Sequence, residues 1–458
     1  MFCFHDLRQL GWWAADLEAL SLASRRKDPF STLGFLRNNA AHPEWYPGDK
    51  DAQLWFLVAI EHGRPVGYLA LRRKIERVLG VQTAKLEFFV THDNDCPQLV
   101  ARTEDEPRVS AAMYEYLMSR GDEWSFLEFH QQDPGSALTP PPPGSAFEKY
   151  FARTFPTKEN HTIPIVWPTL EEYFKALSTK FRGDVRRKAR RILGAGKLTW
   201  LESDNPRTTP TLLELLRTVE ARSWKSQHAI ALGSHPDRLA YFRGLLAADQ
   251  PMRIRISVLL LDGIPIAGSI CGGYAETMYG LVVMFDDRVE SLSPGVMVQM
   301  MMVRSAIAGK YHALNLLAGY GYYKSRWLAQ PVPTRSGQLY RIGKPHFWKA
   351  ILGAFKRRLI ERIAVPAEEK PQFNLERRAV TLATEATAPA QQQATVTPEE
   401  RQHVKALLTA LEPLPVDRLD SAALAAAIPF GEAPAAGRAP PRTAEEAPRV
   451  AWSAAAHP

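Results

Sequence analysis

Short apolar runs broken by turn residues recur along the chain, and one arrangement of them occurs twice. Leu54–Ile60 reads as a strand, His62-Gly63-Arg64 as a turn and Pro65–Leu71 as the returning strand. Ile256–Leu261, Asp262-Gly263-Ile264 and Pro265–Tyr274 repeat the pattern, and Gly63-Arg64-Pro65-Val66-Gly67 matches Gly263-Ile264-Pro265-Ile266-Ala267-Gly268 closely. Each hairpin leads into a third apolar run, Lys85–Val90 or Met278–Phe285. A helix-period segment follows, Val109–Arg120 or Val296–Ala308, and then a further strand, Trp124–Phe129 or Ala313–Leu317. The repeated order predicts a duplicated α/β unit built on mixed sheets. True counterparts would place both hairpins at the same positions in two sheets. Gly272-Gly273, inside the second returning strand, predicts a bulge or a close backbone approach.

The repeat divides the chain. The first unit spans residues 1–167 and the second 168–365, with the boundary near Trp167. Pro140–Pro143 forms a stiff surface loop. From Pro366 to the end, Ala, Pro, Glu and Thr dominate, so residues 366–458 read as a mostly disordered tail. Val404, Leu407, Leu408 and Leu411 make an apolar stripe that predicts one short helix at Pro398–Leu411, and Ser421–Ile428 a helical turn. On this reading, truncation after Val365 leaves the thermal midpoint within about 2 °C.

Charge sharpens the contrast. Net charge is +8, yet the tail carries 9 Lys/Arg against 12 Asp/Glu, so the body is the more basic part. A basic body suits anionic partners such as CoA, nucleotide sugars, nucleic acid or a membrane surface. Cys3, Cys96 and Cys271 are scattered and form neither a metal spacing nor a disulfide framework. No signal peptide and no long apolar run is evident, so the expectation is a cytoplasmic protein without a membrane span or a metal.

Several segments carry chemistry. A strand feeds a helix through Ser293-Pro294-Gly295, an order that builds an anion site. Ser293 can cap, Pro294 suits the first turn, and Gly295, Val296 and Met297 offer free amides. Lys180–Lys197 is a basic amphipathic helix: Phe181, Val185, Ala189, Ile192 and Leu193 form its stripe, and Arg186, Arg187, Lys188, Arg190 and Arg191 cover the rest. That surface either meets an anionic ligand or is simply solvated. Glu220 and Trp224 fall on one helical face, where an indole can raise a carboxylate's pKa. His92-Asp93-Asn94-Asp95-Cys96 is too tightly spaced for a tetrahedral metal site and reads as a polar loop that rims a cleft. Gly319-Tyr320-Gly321-Tyr322-Tyr323-Lys324 follows a strand end, where open α/β sheets gather reactive groups.

Taken with these residues, Pro168–Arg341 resembles the GNAT superfamily of acyltransferases, and more narrowly the group of CelD/BcsL-type cellulose and exopolysaccharide proteins, related to the Fem peptidyltransferases. The resemblance extends loosely to Asp51–Phe129, which makes the first half a degenerate GNAT-like unit. Leu292-Ser293-Pro294-Gly295 stands where ordinary members carry Gln/Arg-x-x-Gly-x-Gly/Ala. The resemblance implies tandem GNAT-like units and transfer of an acetyl group from acetyl-CoA to an amine or hydroxyl, with a sugar or lipid-linked sugar as acceptor. It implies that Tyr323 or Tyr322 is the general acid, that Lys324 steadies a phosphate or oxyanion, and that Glu220 or Asp286 is the base. Val283, Met284, Ser293, Pro294, Gly295, Val296, Met297, Arg186 and Arg187 would then hold the CoA. Two alternatives stay open: a Fem-like aminoacyl transferase that uses aminoacyl-tRNA, and a non-catalytic scaffold of a polysaccharide assembly system tethered to a protein partner by its tail.

Overall fold

The two hairpins close through the same pair of left-handed residues. His62 (φ 49°) and Gly63 (φ 76°) turn the first; Asp262 (φ 50°) and Gly263 (φ 77°) turn the second. Two successive positive φ angles give the turn whose twist matches that of the flanking strands. The register then slips at the same place in both, between Ala59 and Ile60 and between Leu259 and Leu260, opposite Pro65 and Pro265. Proline cannot donate to the ladder, so a bulge forms there.

The computed structural model describes residues 1–42, 52–91, 94–139, 148–227, 232–233, 236–247, 249–319, 322–363 and 396–428. Pro140–Pro143, His92, Asp93, Tyr320 and Gly321 lie outside the described residues. The first half runs β1 (Phe2–Phe4), α1 (Ala14–Ala23), α2 (Leu33–Ala41), β2 (Gln53–Glu61), β3 (Arg64–Val78), β4 (Val81–Phe88), β5 (Val100–Ala101), α3 (Glu106–Ser119), β6 (Phe126–Gln132), β7 (Tyr150–Pro156) and β8 (Asn160–Pro164). The second runs α4 (Leu170–Ala176), α5 (Thr179–Leu193), β9 (Leu198–Ser203), α6 (Thr209–Glu220), α7 (Pro236–Leu245), β10 (Arg253–Leu261), β11 (Ile264–Tyr274), β12 (Thr277–Phe285), α8 (Pro294–Ala308), β13 (Ala313–Ala318), α9 (Tyr322–Arg326), β14 (Gln330–Val332), β15 (Arg335–Arg341) and α10 (Pro345–Ile363). The last described segment adds α11 (Pro398–Leu411), β16 (Asp417–Asp420) and α12 (Ser421–Ala427).

Strand order confirms the duplication. One sheet is β1-β2-β3-β4-β6-β15-β7, and the other is β14-β8-β13-β12-β11-β10-β9-β16. Read from the hairpin side, β2-β3-β4-β6 corresponds to β10-β11-β12-β13, antiparallel except for a parallel last pair. Beyond that pair the halves exchange strands. β15, from the second half, pairs antiparallel with β6, and β8, from the first, pairs antiparallel with β13. Neither sheet is completed by its own half.

Helices cover both faces of the second sheet. On one side Val185, Ala189, Ile192, Met297, Met300, Met301 and Val303 pack over Leu259, Met278 and Leu314. On the other, Leu212, Leu216 and Val219 of α6 pack over Ile256, Val258 and Val282, joined by Phe30 and Phe35 from the first half. α8 is apolar over most of its surface because most of it is buried, and its methionines fill the irregular gaps. Gly272 and Gly273 are close approaches: an added Cβ would meet Met252 Sδ at 2.3 Å and the Tyr311 hydroxyl at 2.0 Å. The bulge lies next to them, between Ile270 and Cys271.

Both short helices expected in the tail are present, but they do not hang free. β16 pairs antiparallel with β9 across Asp417–Asp420. Val404, Leu411, Leu424 and Ile428 are buried in the two cores of the second sheet. Hence the expectation that truncation after Val365 leaves stability untouched is corrected: burial of these aliphatics contributes about 1.5–3 kcal/mol each. We predict that Leu411→Ala and Leu424→Ala each lower the unfolding free energy by about 2–4 kcal/mol, measured by urea denaturation.

Candidate active site

The parallel pair β12 and β13 is joined at only three positions, Thr277↔Ala313, Met278↔Leu314 and Tyr279↔Asn315. Immediately afterwards the β11–β12 register slips: Cys271 pairs with Gly280, Ile270 with Val282, and Leu281 is left over. A bulge bends and twists the strand that carries it. β12 then continues to Phe285 without β13 beside it. Along this stretch one edge of β12 is open, and the carbonyl of Val283 takes its hydrogen bond from Lys225 Nζ at 2.8 Å.

The open strand points to the turn singled out in the sequence. After Asp286 a short 3-10 segment, Asp287–Leu292, leads to Ser293 and α8. Ser293 is left-handed (φ 55°, ψ 50°), and its side chain does not cap the helix, so the expected capping role is corrected. The turn is held through its backbone instead: Ser293 N–H donates to the Glu290 carbonyl at 2.8 Å and Val296 N–H to the Ser293 carbonyl at 3.1 Å. The first turn of α8 carries no acidic residue, and Pro294 occupies its start. A Cβ on Gly295 would sit 3.6 Å from Phe285, an ordinary contact, so there is room above the helix start. The basic helix α5 reaches this turn through Arg191, whose Nη1 donates to the Ser291 carbonyl at 2.7 Å. Arg187 is ion-paired with Asp184 of its own helix, and the Arg186 guanidinium lies over the Phe174 ring.

At the other side of the opening, β13 ends in a hook. Leu317 has φ 60° and Gly319 φ 127°. Asn315 Oδ1 accepts the Leu317 N–H at 2.7 Å. Lys324, buried, donates to the carbonyls of Leu316 and Leu317 at 2.9 Å each and of Ala318 at 3.3 Å. Burial lowers its pKa to about 8, against the attraction of Asp95. Three ammonium protons therefore meet three carbonyls, so Lys324 holds the strand end rather than offering a donor to an oxyanion or phosphate. Tyr323 is 52 % exposed on the same short helix. Desolvation nevertheless raises its phenol pKa, which keeps the proton available. Of Tyr322 the backbone lies in α9.

The first half supplies the opposite wall. Tyr279, the last residue of β12 to pair with β13, donates to the Lys27 carbonyl at 3.2 Å and packs edge-on against Phe30, 5.5 Å between centroids. Asp28 is buried beside it; Oδ1 accepts the Phe30 N–H at 2.8 Å, and Oδ2 has no hydrogen-bond partner among the described residues. Burial pushes the Asp28 carboxyl up to about 7, against the pull of Arg26. Asp95 accepts from Asn160 Nδ2 at 2.6 Å and from the Ala318 backbone, tying the first half to the tip of β13. Sequence reasoning gave Asp95 only as part of a polar rim and missed Arg26 and Asp28. Their signal lies in the contact between the halves, which no local pattern records.

Two expected bases look different in the structure. Asp286 is buried against Arg222 (2.7 Å) and Arg288 (2.6 Å). Burial opposes its charge, but the hydrogen bonds from Arg288 and Arg222 prevail and hold it below the usual carboxylate range. An ionised carboxylate so firmly paired is a poor proton acceptor, and that assignment is corrected. Arg222 also donates to the Pro265 carbonyl at 2.6 Å and to Glu400 of α11, so it joins hairpin, turn and tail. Glu220 is raised by burial, but its carboxylate is engaged by Leu232 N–H and by Arg238 at 3.5 Å. Trp224 stands beyond the end of α6 and is exposed, so it does not share a face with Glu220.

The corresponding end of the first sheet is filled. Phe88 of β4 and Phe129 of β6 meet at 5.3 Å, with Leu138 buried over them. The start of α3 is occupied by its own Glu106, which accepts from Ala137 N–H and Arg25. No cluster of His, Cys, Asp and Glu suited to a metal occurs among the described residues.

No curated protein matches the chain. Solved structures with a similar course include FemX (11% identity, 76% of this chain and 99% of that one, TM-score 0.48). A tandem GNAT protein from the clavulanic acid biosynthesis pathway gives 13% identity, 74% and 96% coverage and a TM-score of 0.41. The L-PGS from Bacillus licheniformis gives 14%, 71% and 96%, and 0.42. Residues 179–325 match the acetyltransferase (GNAT) domain family, a segment that holds the parting strands, the Ser293-Pro294-Gly295 turn and the aromatic–lysine helix.

Proposed function

We propose that the second unit transfers an acyl group from acetyl-CoA to an amine or hydroxyl. The observation that carries this reading is the three-residue pairing of β12 with β13, followed by an open β12 edge that leads to the start of α8. An extended pantetheine arm needs a strand edge with unpaired amides, and a pyrophosphate needs helix N–H groups free of acidic neighbours. The short β12–β13 pairing and the acid-free first turn of α8 support this reading. Val283 and Met284 would line the arm, and the amides of Gly295 and Met297 would face the pyrophosphate, with Arg191 steadying the turn; the expected third amide, Val296, is instead spent on the Ser293 carbonyl.

The donor supplies an activated thioester carbonyl. The chain's own groups then divide the proton work. Asp28, with one unpartnered oxygen, takes the proton from the attacking amine or hydroxyl. As the carbon–sulfur bond breaks, Tyr323 gives its proton to the departing thiolate. Lys324 and Asp95 keep the tip of β13 in place. The acceptor approaches from the first-half side, where the polar groups of Arg26, Asp28 and Asp95 suit a polar acceptor such as a sugar.

Three outcomes test the reading. Gly295→Asp sets a carboxylate against the pyrophosphate and lowers acetyl-CoA affinity at least tenfold, about 1.4 kcal/mol, by calorimetry; Gly295→Ala, which has room, leaves it nearly intact. With thiol release as the readout, Tyr323→Phe slows turnover by about 10²-fold while CoA affinity holds. The base must be ionised to act, so kcat/KM falls as pH drops through about 7, the value to which burial raises Asp28. Asp28→Asn lowers the rate and removes that limb of the profile. Full activity in both variants excludes this proton path.

A further inference from the structure

Helix α10 is turned inside out. Ala350, Gly353 and Ala354 are the residues sheltered along its middle, whereas Trp348, Ile351, Leu352 and Phe355 are 51, 40, 56 and 69 % exposed. Positions 348, 351, 352 and 355 lie on one helical face. A surface helix ordinarily buries such a stripe and shows its small and polar residues to water.

This orientation is fixed by the start of the helix. His346 is buried, with Nδ1 2.8 Å from Ser125 Oγ, Nε2 2.6 Å from Glu76 and its ring stacked on Phe126 at 5.1 Å. The residue two positions on must then face outward. Phe347 meets Phe151 at 6.1 Å, and Phe151 is itself exposed, so the apolar patch continues onto β7.

Cations flank the patch. Lys344, Lys349 and Lys356 are exposed. The remaining sequence of the helix adds Arg357, Arg358 and Arg362 against a single acid, Glu361. No helix among the described residues is long and apolar enough to cross a membrane. An outward apolar face, bordered by exposed Lys on a helix that does not span, is the design of a helix lying in the plane of a bilayer surface.

We propose that α10 docks on an anionic lipid surface. Trp348, Ile351, Leu352 and Phe355 enter the headgroup–acyl boundary, and Lys349 and Lys356 lie against the lipid phosphates. The full chain would be sedimented with vesicles of phosphatidylcholine and phosphatidylglycerol mixed about three to one, and with phosphatidylcholine alone. The expected result is at least about tenfold stronger partitioning to the anionic vesicles at low salt, weakened by added salt. Leu352→Glu with Phe355→Glu should lower it by at least about tenfold. Lys349→Glu with Lys356→Glu changes only exposed polar positions and should abolish the preference for anionic lipid, which guards against a folding defect in the first variant. Equal binding to both vesicles, or undiminished binding by both variants, overturns the proposal. So does a concentration-dependent dimer in light scattering that Leu352→Glu with Phe355→Glu dissolves, since the face would then belong to a second copy.

Discussion

The structure depends on the reciprocal loan of strands β8 and β15. A parallel pair that holds at three residues and then opens is a weak joint, because it forfeits most of its ladder. β13 survives in that position because β8 pairs along its outer edge, Ala313↔Pro164 to Asn315↔Thr162. Lys324 and Asp95 clamp its tip. The opening is therefore a fixed feature with three supports, two of them involving the first half.

The same physics explains why one unit of the pair carries the candidate site. In the second unit a helix start without acids stands at the open strand. In the first, Phe88, Phe129 and Leu138 fill the equivalent space, and the first helical turn carries an acid, Glu106, paired with Arg25. Apolar filling lends stability where an opening would cost it. The first unit serves the second in return, bringing the buried Asp28 and Asp95 to Tyr279 and the tip of β13. Arg222 adds a further dependence, since its guanidinium joins the strand leading to the turn with a helix of the tail.

Much of this was legible in the sequence. The hairpins announced themselves by Gly63 and Gly263 with the following prolines, and the order of later elements repeated faithfully. Ser293-Pro294-Gly295 marked the helix start, and Lys324 the strand end. Local pattern failed where a residue's role depends on distant partners. Asp286 reads as a free acid: Arg288 stands two residues on, but nothing local reveals that Arg222, 64 positions away, also pairs with it. The tail's composition suggested that it would not pack, yet Leu411 and Leu424 find apolar seats on a sheet remote in sequence. Asp28 looks like any cap of a short turn until the second half closes over it.

Strand exchange also sets a timetable for synthesis. β6 ends at Gln132, but the strand that covers its free edge, β15, begins at Arg335. At roughly 5–20 residues per second, that edge stays uncovered on the ribosome for about 10–40 s. During that interval β7 has nothing to pair with, because β15 is its neighbour in the sheet. An open edge of this kind invites pairing with other nascent chains. Glu128, a charged residue on β6 paired with Lys85 of the neighbouring β4, leaves the growing chain a polar group at that border while it waits for its last strand.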